Sequence, residues 1–298
     1  MPEQTCTIHG PGGQGEASVT IGSGRLALIA GPCVAESLDL CLTVARSLAE
    51  VCRRLDVPYV FKASYDKANR TSAAGYRGPG LKTGLEWLAR VREEVGVPVL
   101  TDVHETIQAG PAAEVVDCVQ IPAFLCRQTD LLLAAGRSGK AVNIKRGQFM
   151  APWDMRHAVE KVRAASDPRL DGPKAPGVLL TERGTMLGYN RLVSDLRAIP
   201  IMQAFAPVVF DATHSVQEPG GLGQASGGQR QFAPVLAAAA VAAGADALFI
   251  ETHPDPPNAK SDAAVMVPLE QMEALLRRCL AIHRASRDNP TTQGSSQG

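Results

Sequence analysis

The sequence predicts an α/β protein, a single-domain (β/α)8 barrel of the TIM type with a short N-terminal extension. Three observations lead there. Eight short apolar runs rich in Val, Ile and Leu recur along the chain: LALIAG (26–31), YVFKAS (59–64), PVLTDV (98–103), CVQIPA (118–123), AVNIKR (141–146), VLLTERG (178–184), VVFDATH (208–214) and ALFIETH (247–253). Runs that are apolar throughout, rather than alternating, fit parallel strands buried on both faces. Helix-like stretches separate them, among them 38–55, 85–95 and 231–245, and 269–286 closes the series. Eight strand–helix units indicate a closed barrel over an open doubly wound sheet. Finally, the strands end in chemically capable residues: Cys33, Lys62, Asp102 with His104, Gln120, Lys145, Glu182 with Arg183, Asp211 with His214, and Glu251 with His253. Barrel enzymes build their sites at the C-terminal ends of the strands. One polar strand end is an ordinary loop start; polar ends on all of them indicate an enzyme.

At 298 residues the chain has the length of one such barrel, and 45% hydrophobic with only 4% aromatic residues implies a core of aliphatic side chains and alanine. Residues 1–24 carry Gly-Pro-Gly-Gly and read as an extension, a tail or small hairpin outside the core. The barrel is expected over 25–286, and 287–298, ending in TTQGSSQG, as a flexible tail. Thirty basic residues balance thirty acidic ones, so no general attraction to nucleic acid or an anionic membrane is expected. Seven scattered cysteines, an odd number in a large chain, argue for a reducing compartment over a disulfide framework. With no basic start followed by an apolar stretch, and no apolar run long enough for a bilayer, the expectation is a cytoplasmic protein.

In a closed barrel the seventh, eighth and first strands are neighbours, so Cys33, His214 and Glu251 converge, and Asp262 in the loop after the eighth strand can supply a fourth ligand. Thiolate, imidazole and carboxylate together suit Zn2+ or Fe2+, and the carboxylates admit Mn2+. Singly, each residue has an ordinary structural role, the cysteine as a small buried hydrophobe and the histidine as a hydrogen-bonding group. Cations also gather at the barrel mouth: Lys62, Lys145 and Arg183 at strand ends, Lys67 and Arg70 with Asn69 in DKANRTS (66–72), and Arg127 past the fourth strand. Such groups suit phosphate and carboxylate. Lys62 or Lys145 as a Schiff-base nucleophile is the minor alternative, and it leaves the ligand set unexplained. EPGGLGQASGGQR (218–230) reads as a lid or a solvated connector. Neither a Walker A loop nor GxGxxG opening a helix after the first strand is present, which excludes a nucleotide-binding signature.

Long motifs carry a resemblance. IAGPCVAES (29–37), FKASYDKANRTS (61–72), YRGPGL (76–81), TDVHE (101–105), QIPAFLCRQTDLL (120–132), NIKRGQF (143–149), TERGTMLGYNRLVSDLR (181–197), FDATHSVQ (210–217) and IETHPDPPNAKSDA (250–263) are similar to the 3-deoxy-D-manno-octulosonate 8-phosphate synthases. The similarity runs from about residue 26 to 285. It implies condensation of phosphoenolpyruvate with D-arabinose 5-phosphate and water for lipopolysaccharide inner-core synthesis, by a homotetrameric barrel. By motif, the resemblance assigns Lys62, Lys145 and Arg183 to phosphoenolpyruvate, with the Ala123–Phe124 backbone and Gln148 nearby. It assigns Lys67, Asn69, Arg70 and Thr71 or Ser72 to the sugar channel, Arg127 to a neighbouring subunit's sugar phosphate, and Asp102 to orienting the reacting centre. Cys33 in place of asparagine, and Lys-Ser-Asp before Ala263, resemble the metal-dependent class, in agreement with Cys33, His214, Glu251 and Asp262 as ligands of a divalent metal ion. The heptulosonate 7-phosphate synthases, which take erythrose 4-phosphate, resemble Lys-Pro-Arg-Thr or Pro-Pro-Arg-Thr where this chain has Lys67-Ala68-Asn69-Arg70. A non-catalytic phosphosugar-binding barrel is the alternative from another class, and the intact set of charged groups argues against it. One departure is Arg146-Gly147, where many of the octulosonate enzymes have Lys-Pro.

Overall fold

A computed structural model describes residues 4–13, 17–70, 72, 75–165, 177–219 and 227–288. Eight parallel strands close into one barrel: β1 (Ala27–Gly31), β2 (Tyr59–Lys62), β3 (Val99–Asp102), β4 (Cys118–Ile121), β5 (Ala141–Lys145), β6 (Val178–Glu182), β7 (Val208–Asp211) and β8 (Ala247–His253). Closure comes from β8 pairing with both β1 and β7. All eight are buried along their length, in keeping with their largely apolar sequences, and polar residues within them satisfy one another: Asn143 Nδ2 donates to Gln120 Oε1 and Thr181 Oγ1 to Asn143 Oδ1. Their outward side chains meet the helices α1 (Leu38–Leu55), α2 (Leu81–Val95), α3 (Thr106–Val115), α4 (Thr129–Arg137), α5 (Met155–Ala164), α6 (Ala198–Gln203), α7 (Ala233–Ala242) and α8 (Met272–Asp288).

Local chemistry sets the helix limits. The Ser37 hydroxyl caps α1 by accepting the Leu40 N–H at 3.1 Å, and the helix stops where Asp56 turns left-handed at φ 55°. Between those ends Cys41, Leu42, Val44, Ala45, Leu48 and Cys52 recur at helical spacing and bury one stripe against the barrel. Helix α2 begins at Leu81, four residues before the expected stretch, because Gly80 supplies the turn into it. Helix α8 continues through Asp288, so 287 and 288, expected in the flexible tail, are helical, and 289–298 lie outside the described residues.

The N-terminal extension forms the expected hairpin, with Cys6–Ile8 antiparallel to Val19–Ile21. It is not outside the core, however. Cys6, Ile8, Val19 and Ile21 are buried in one cluster with Ala27, Ile29, Val60, Leu100, Cys118, Ala141, Leu179, Val209, Ala247 and Phe249, residues drawn from all eight strands. The hairpin therefore stoppers the N-terminal end of the barrel. Alternation of Cys6, Ile8 and of Val19, Ile21 was the available signal, and two three-residue strands are too short for it to stand out. A second hairpin, Thr185–Gly188 with Arg191–Val193, rises after β6 on a Tyr189–Asn190 turn in which both residues are left-handed (φ 49° and 61°).

Arg146, just past β5, is 1% exposed and forms a two-pronged pair with Glu182 at 2.6 Å on each arm. It also donates to the Met150 carbonyl and the Thr185 hydroxyl, tying the β5 loop to β6 and its hairpin. Replacing Glu182 with alanine strands this buried cation, and the expected cost is about 3–5 kcal/mol of stability, read by urea denaturation against the unaltered protein.

Candidate active site

The C-terminal strand ends open onto a cavity of about 840 Å3. Gly31 ends β1 against β2 so closely that a Cβ would strike the Lys62 carbonyl oxygen, and the following Gly-Pro turn delivers Cys33 beneath the cavity. The sulfur of Cys33 and carboxylate oxygens of Glu251 and Asp262 lie within 4.8 Å of one another. His214 Nε2 stands beside the two carboxylates, 3.7 Å from Glu251 Oε2 and 3.5 Å from Asp262 Oδ2. Among the described residues, the mutually close group therefore holds three of the four expected ligands, with His214 next to two of them.

Their electrostatics describe a site built for a cation. Burial, then Asp262 and Glu251, push the Cys33 thiol well above its ordinary range. Burial alone would raise Glu251, but Lys62, His214 and Lys67 outweigh it and bring the carboxyl to about 2. Glu251 Oε1 accepts from Lys62 Nζ at 2.7 Å, whereas Oε2 is buried without a partner among the described residues. An orphaned carboxylate oxygen facing a thiol, an imidazole nitrogen and a second carboxylate fits a divalent cation, which would satisfy it.

Asp211, a strand end not expected as a site residue, completes the arrangement. Its Oδ2 lies 2.8 Å from His214 Nδ1, and since a carboxylate only accepts, Nδ1 carries the proton and the ring is held with Nε2 toward Glu251 and Asp262. The signal was Asp211 three residues before His214, but that spacing means nothing until the short turn after β7 is known. The same Oδ2 accepts from Lys145 Nζ at 2.5 Å.

Beside this cluster are the cations. Lys62 and Lys145 are buried and lie 5.4 and 3.8 Å from the centre of the Phe249 ring. Burial brings Lys145 below its ordinary value despite Asp211. Arg183 is 4% exposed; Nη2 donates to Gln217 Oε1 at 3.2 Å, while Nη1 has no partner among the described residues. Burial likewise works against its cation. An unpaired, desolvated guanidinium arm is an anion site in waiting. Gln148, with an unpartnered Oε1, Ala123 and the half-exposed Phe124 line the same cavity. Gly147 passes close to the Ala123 carbonyl, where a Cβ would sit 3.0 Å from its oxygen.

Lys67, Asn69, Arg70 and Ser72 also line the cavity, Lys67 Nζ lying 4.0 Å from Glu251 Oε1 and donating to Ser64 Oγ at 3.1 Å, and Thr71 lies outside the described residues. Asp102 accepts from Ser64 Oγ at 2.5 Å and holds His104 Nε2 at 2.9 Å, leaving His104 Nδ1 buried and without a partner among the described residues. His104 lines the cavity too; TDVHE displayed it, yet nothing in the motif separated it from its neighbours. Arg127 is exposed and not among the cavity residues. Of the glycine-rich 218–230 run, residues 220–226 lie outside the described residues. No helix among the described residues is long and apolar enough to cross a membrane.

The chain matches the model of the DAHP synthetase I family over residues 7–283. It is 56% identical over 269 residues to the 2-dehydro-3-deoxyphosphooctonate aldolase of Cyanothece sp., covering 90% of this chain and 96% of that one. The protein of the same name from Granulibacter bethesdensis is 57% identical over 267 residues (87% and 92%), and that of Desulfotalea psychrophila 53% over 271 (90% and 94%).

Proposed function

The chain belongs to the DAHP synthetase I family, within it to the 3-deoxy-D-manno-octulosonate 8-phosphate synthases, also called 2-dehydro-3-deoxyphosphooctonate aldolases, and from that premise we propose how its residues divide the work. The reaction is the condensation of phosphoenolpyruvate, D-arabinose 5-phosphate and water to 3-deoxy-D-manno-octulosonate 8-phosphate and inorganic phosphate, for lipopolysaccharide synthesis. The observation that carries the division of roles is the meeting of Lys62, Lys145 and the unpartnered Arg183 arm beside a sulfur, nitrogen and oxygen donor set.

Lys145, Lys62 and Arg183 hold the phosphate and carboxylate of phosphoenolpyruvate, with Gln148 and the Ala123–Phe124 backbone along its edge. Lys67, Asn69, Arg70 and Thr71 or Ser72 receive the sugar. The enol carbon attacks the sugar aldehyde, leaving an alkoxide on the sugar and positive charge at C2. Water adds to C2 and gives up one proton as the alkoxide gains one, and phosphate then leaves the resulting hemiketal by C–O cleavage, taking the proton of the C2 hydroxyl as the ketone forms. Fixed cations and substrate alignment lower this barrier without reorganising. Asp102, locked by Ser64 and His104, orients the reacting centre. Lys62 and Lys145 are each engaged by a buried carboxylate, which supports a cation at both positions, although burial works against it at Lys145. The donor set beside them, which Schiff-base chemistry leaves unexplained, favours anion clamping.

Cys33, His214, Glu251 and Asp262 hold a divalent cation (Zn2+, Fe2+ or Mn2+), with Asp211 orienting His214. Bound there, the cation supplies Lewis-acid stabilisation of negative charge on oxygen. A homotetramer, with Arg127 reaching a neighbouring subunit's sugar phosphate, is supported by exposed apolar side chains after β4, β5 and β6: Phe124, Phe149, Trp153, Met186, Leu187 and Tyr189.

Phosphate release is measured with phosphoenolpyruvate plus arabinose 5-phosphate or erythrose 4-phosphate, each with and without EDTA. The expected result is turnover with the five-carbon sugar alone, lost on chelation and restored by a divalent ion. Chelator-resistant turnover removes the metal from the reading; turnover with erythrose 4-phosphate reassigns the sugar loop.

A further inference from the structure

We propose that Ser261 is a positioning residue for Cys33, its hydroxyl donating a hydrogen bond to the Cys33 thiolate when a divalent cation is bound. This rests on the metal reading above. Ser261 is 3% exposed, and its Oγ lies 3.0 Å from Cys33 Sγ, its one hydrogen-bond partner among the described residues. A buried hydroxyl with a single partner is committed to it.

The backbone explains why two consecutive side chains reach one sulfur. Asp262 is left-handed at φ 48°, an uncommon state for a residue with a Cβ. That turn brings Asp262 Oδ2 to 3.3 Å from the same Sγ that Ser261 touches. It is pinned on both sides. Glu36 Oε1 accepts the Lys260 N–H at 2.9 Å, Arg70 Nη2 donates to the Lys260 carbonyl at 2.8 Å, and the Val265 N–H donates to the Asp262 carbonyl at 3.0 Å.

Proton accounting gives the hydroxyl its direction. Without a cation the Cys33 thiol has a proton to donate. A cation binds the thiolate, so the S–H bond breaks and its proton passes to solvent. The sulfur is then acceptor-only, and the Ser261 O–H turns to donate to it. That hydrogen bond withdraws electron density from sulfur and fixes the direction of its lone pairs, which is how groups behind a ligand tune a metal site.

The test uses Co2+ as the probe, with absorption of the thiolate-to-cobalt charge-transfer band and the Co2+ Kd from titration as readouts. Two matched comparisons are made, the unaltered protein with Ser261→Ala and Ser261→Thr with Ser261→Val; the second removes the hydroxyl at constant volume if the alanine variant folds poorly. Loss of the hydroxyl should move the band to longer wavelength and weaken Co2+ binding by about 10–100-fold, while Ser261→Thr keeps both near the original. Unchanged band and Kd in the variants without the hydroxyl overturn the role of Ser261 alone. Absence of a thiolate band in the unaltered protein overturns the metal reading, and this proposal with it.

Discussion

Cys33→Ala should lose metal-dependent turnover, falling by more than about 100-fold, beyond what groups behind a ligand typically cost. The sulfur is the sole soft donor in the cluster, and alanine leaves Glu251, Asp262 and His214 facing one another without it. Bound metal per chain, measured by atomic absorption after dialysis, should fall with the activity. The unfolding midpoint should stay near that of the unaltered protein, because the side chain removed is small. Full activity of this variant in the presence of chelator would remove Cys33 from the ligand set.

Lys145→Ala should have the second large effect, a loss of at least about 100-fold in kcat/KM for phosphoenolpyruvate, the scale on which a fixed electrostatic donor counts in a desolvated site. Lys145 also neutralises Asp211, buried and held well below its ordinary range by His214 and Lys145 against the opposing effect of burial. The substitution therefore strands a carboxylate that orients His214, and metal content should fall partly as well. Steady-state kinetics with each substrate varied in turn separate the two consequences, since lost anion binding raises the KM for phosphoenolpyruvate before that for the sugar. A near-normal kcat/KM would take Lys145 out of the site.

The contrast between Arg146 and Arg183 marks how far a sequence reaches. Both follow apolar strands and both are buried, so chain position alone cannot assign one to scaffolding and the other to substrate. The difference is a partner: Glu182 pairs with Arg146 in two-pronged fashion, whereas Gln217 takes one arm of Arg183 and the other has no partner among the described residues. The barrel itself was legible because eight largely apolar runs alternate with helical stretches, the pattern of parallel strands buried on both faces. The approach of Cys33, Glu251 and Asp262, with His214 beside the two carboxylates, was legible for a related reason: it follows from which strands are neighbours. Asp211 behind His214, and Ser261 behind Cys33, were not. Each depends on the path of a short turn, one after β7 and one through the left-handed Asp262. The placement of the N-terminal hairpin was misjudged because its burial is against residues far along the chain, and no local pattern records that.

The hairpin at the foot of the barrel fills one end, so among the described residues the strand-end cavity is approached from the other. Lys62, Lys145 and Arg183 are nearly closed off from solvent, whereas Asn69 and Arg70 are more exposed. With the substrate roles proposed above, a ligand of the inner cations would have to enter past the outer groups, so the closed end, which holds none of the candidate site residues, would set the order in which two substrates could be loaded.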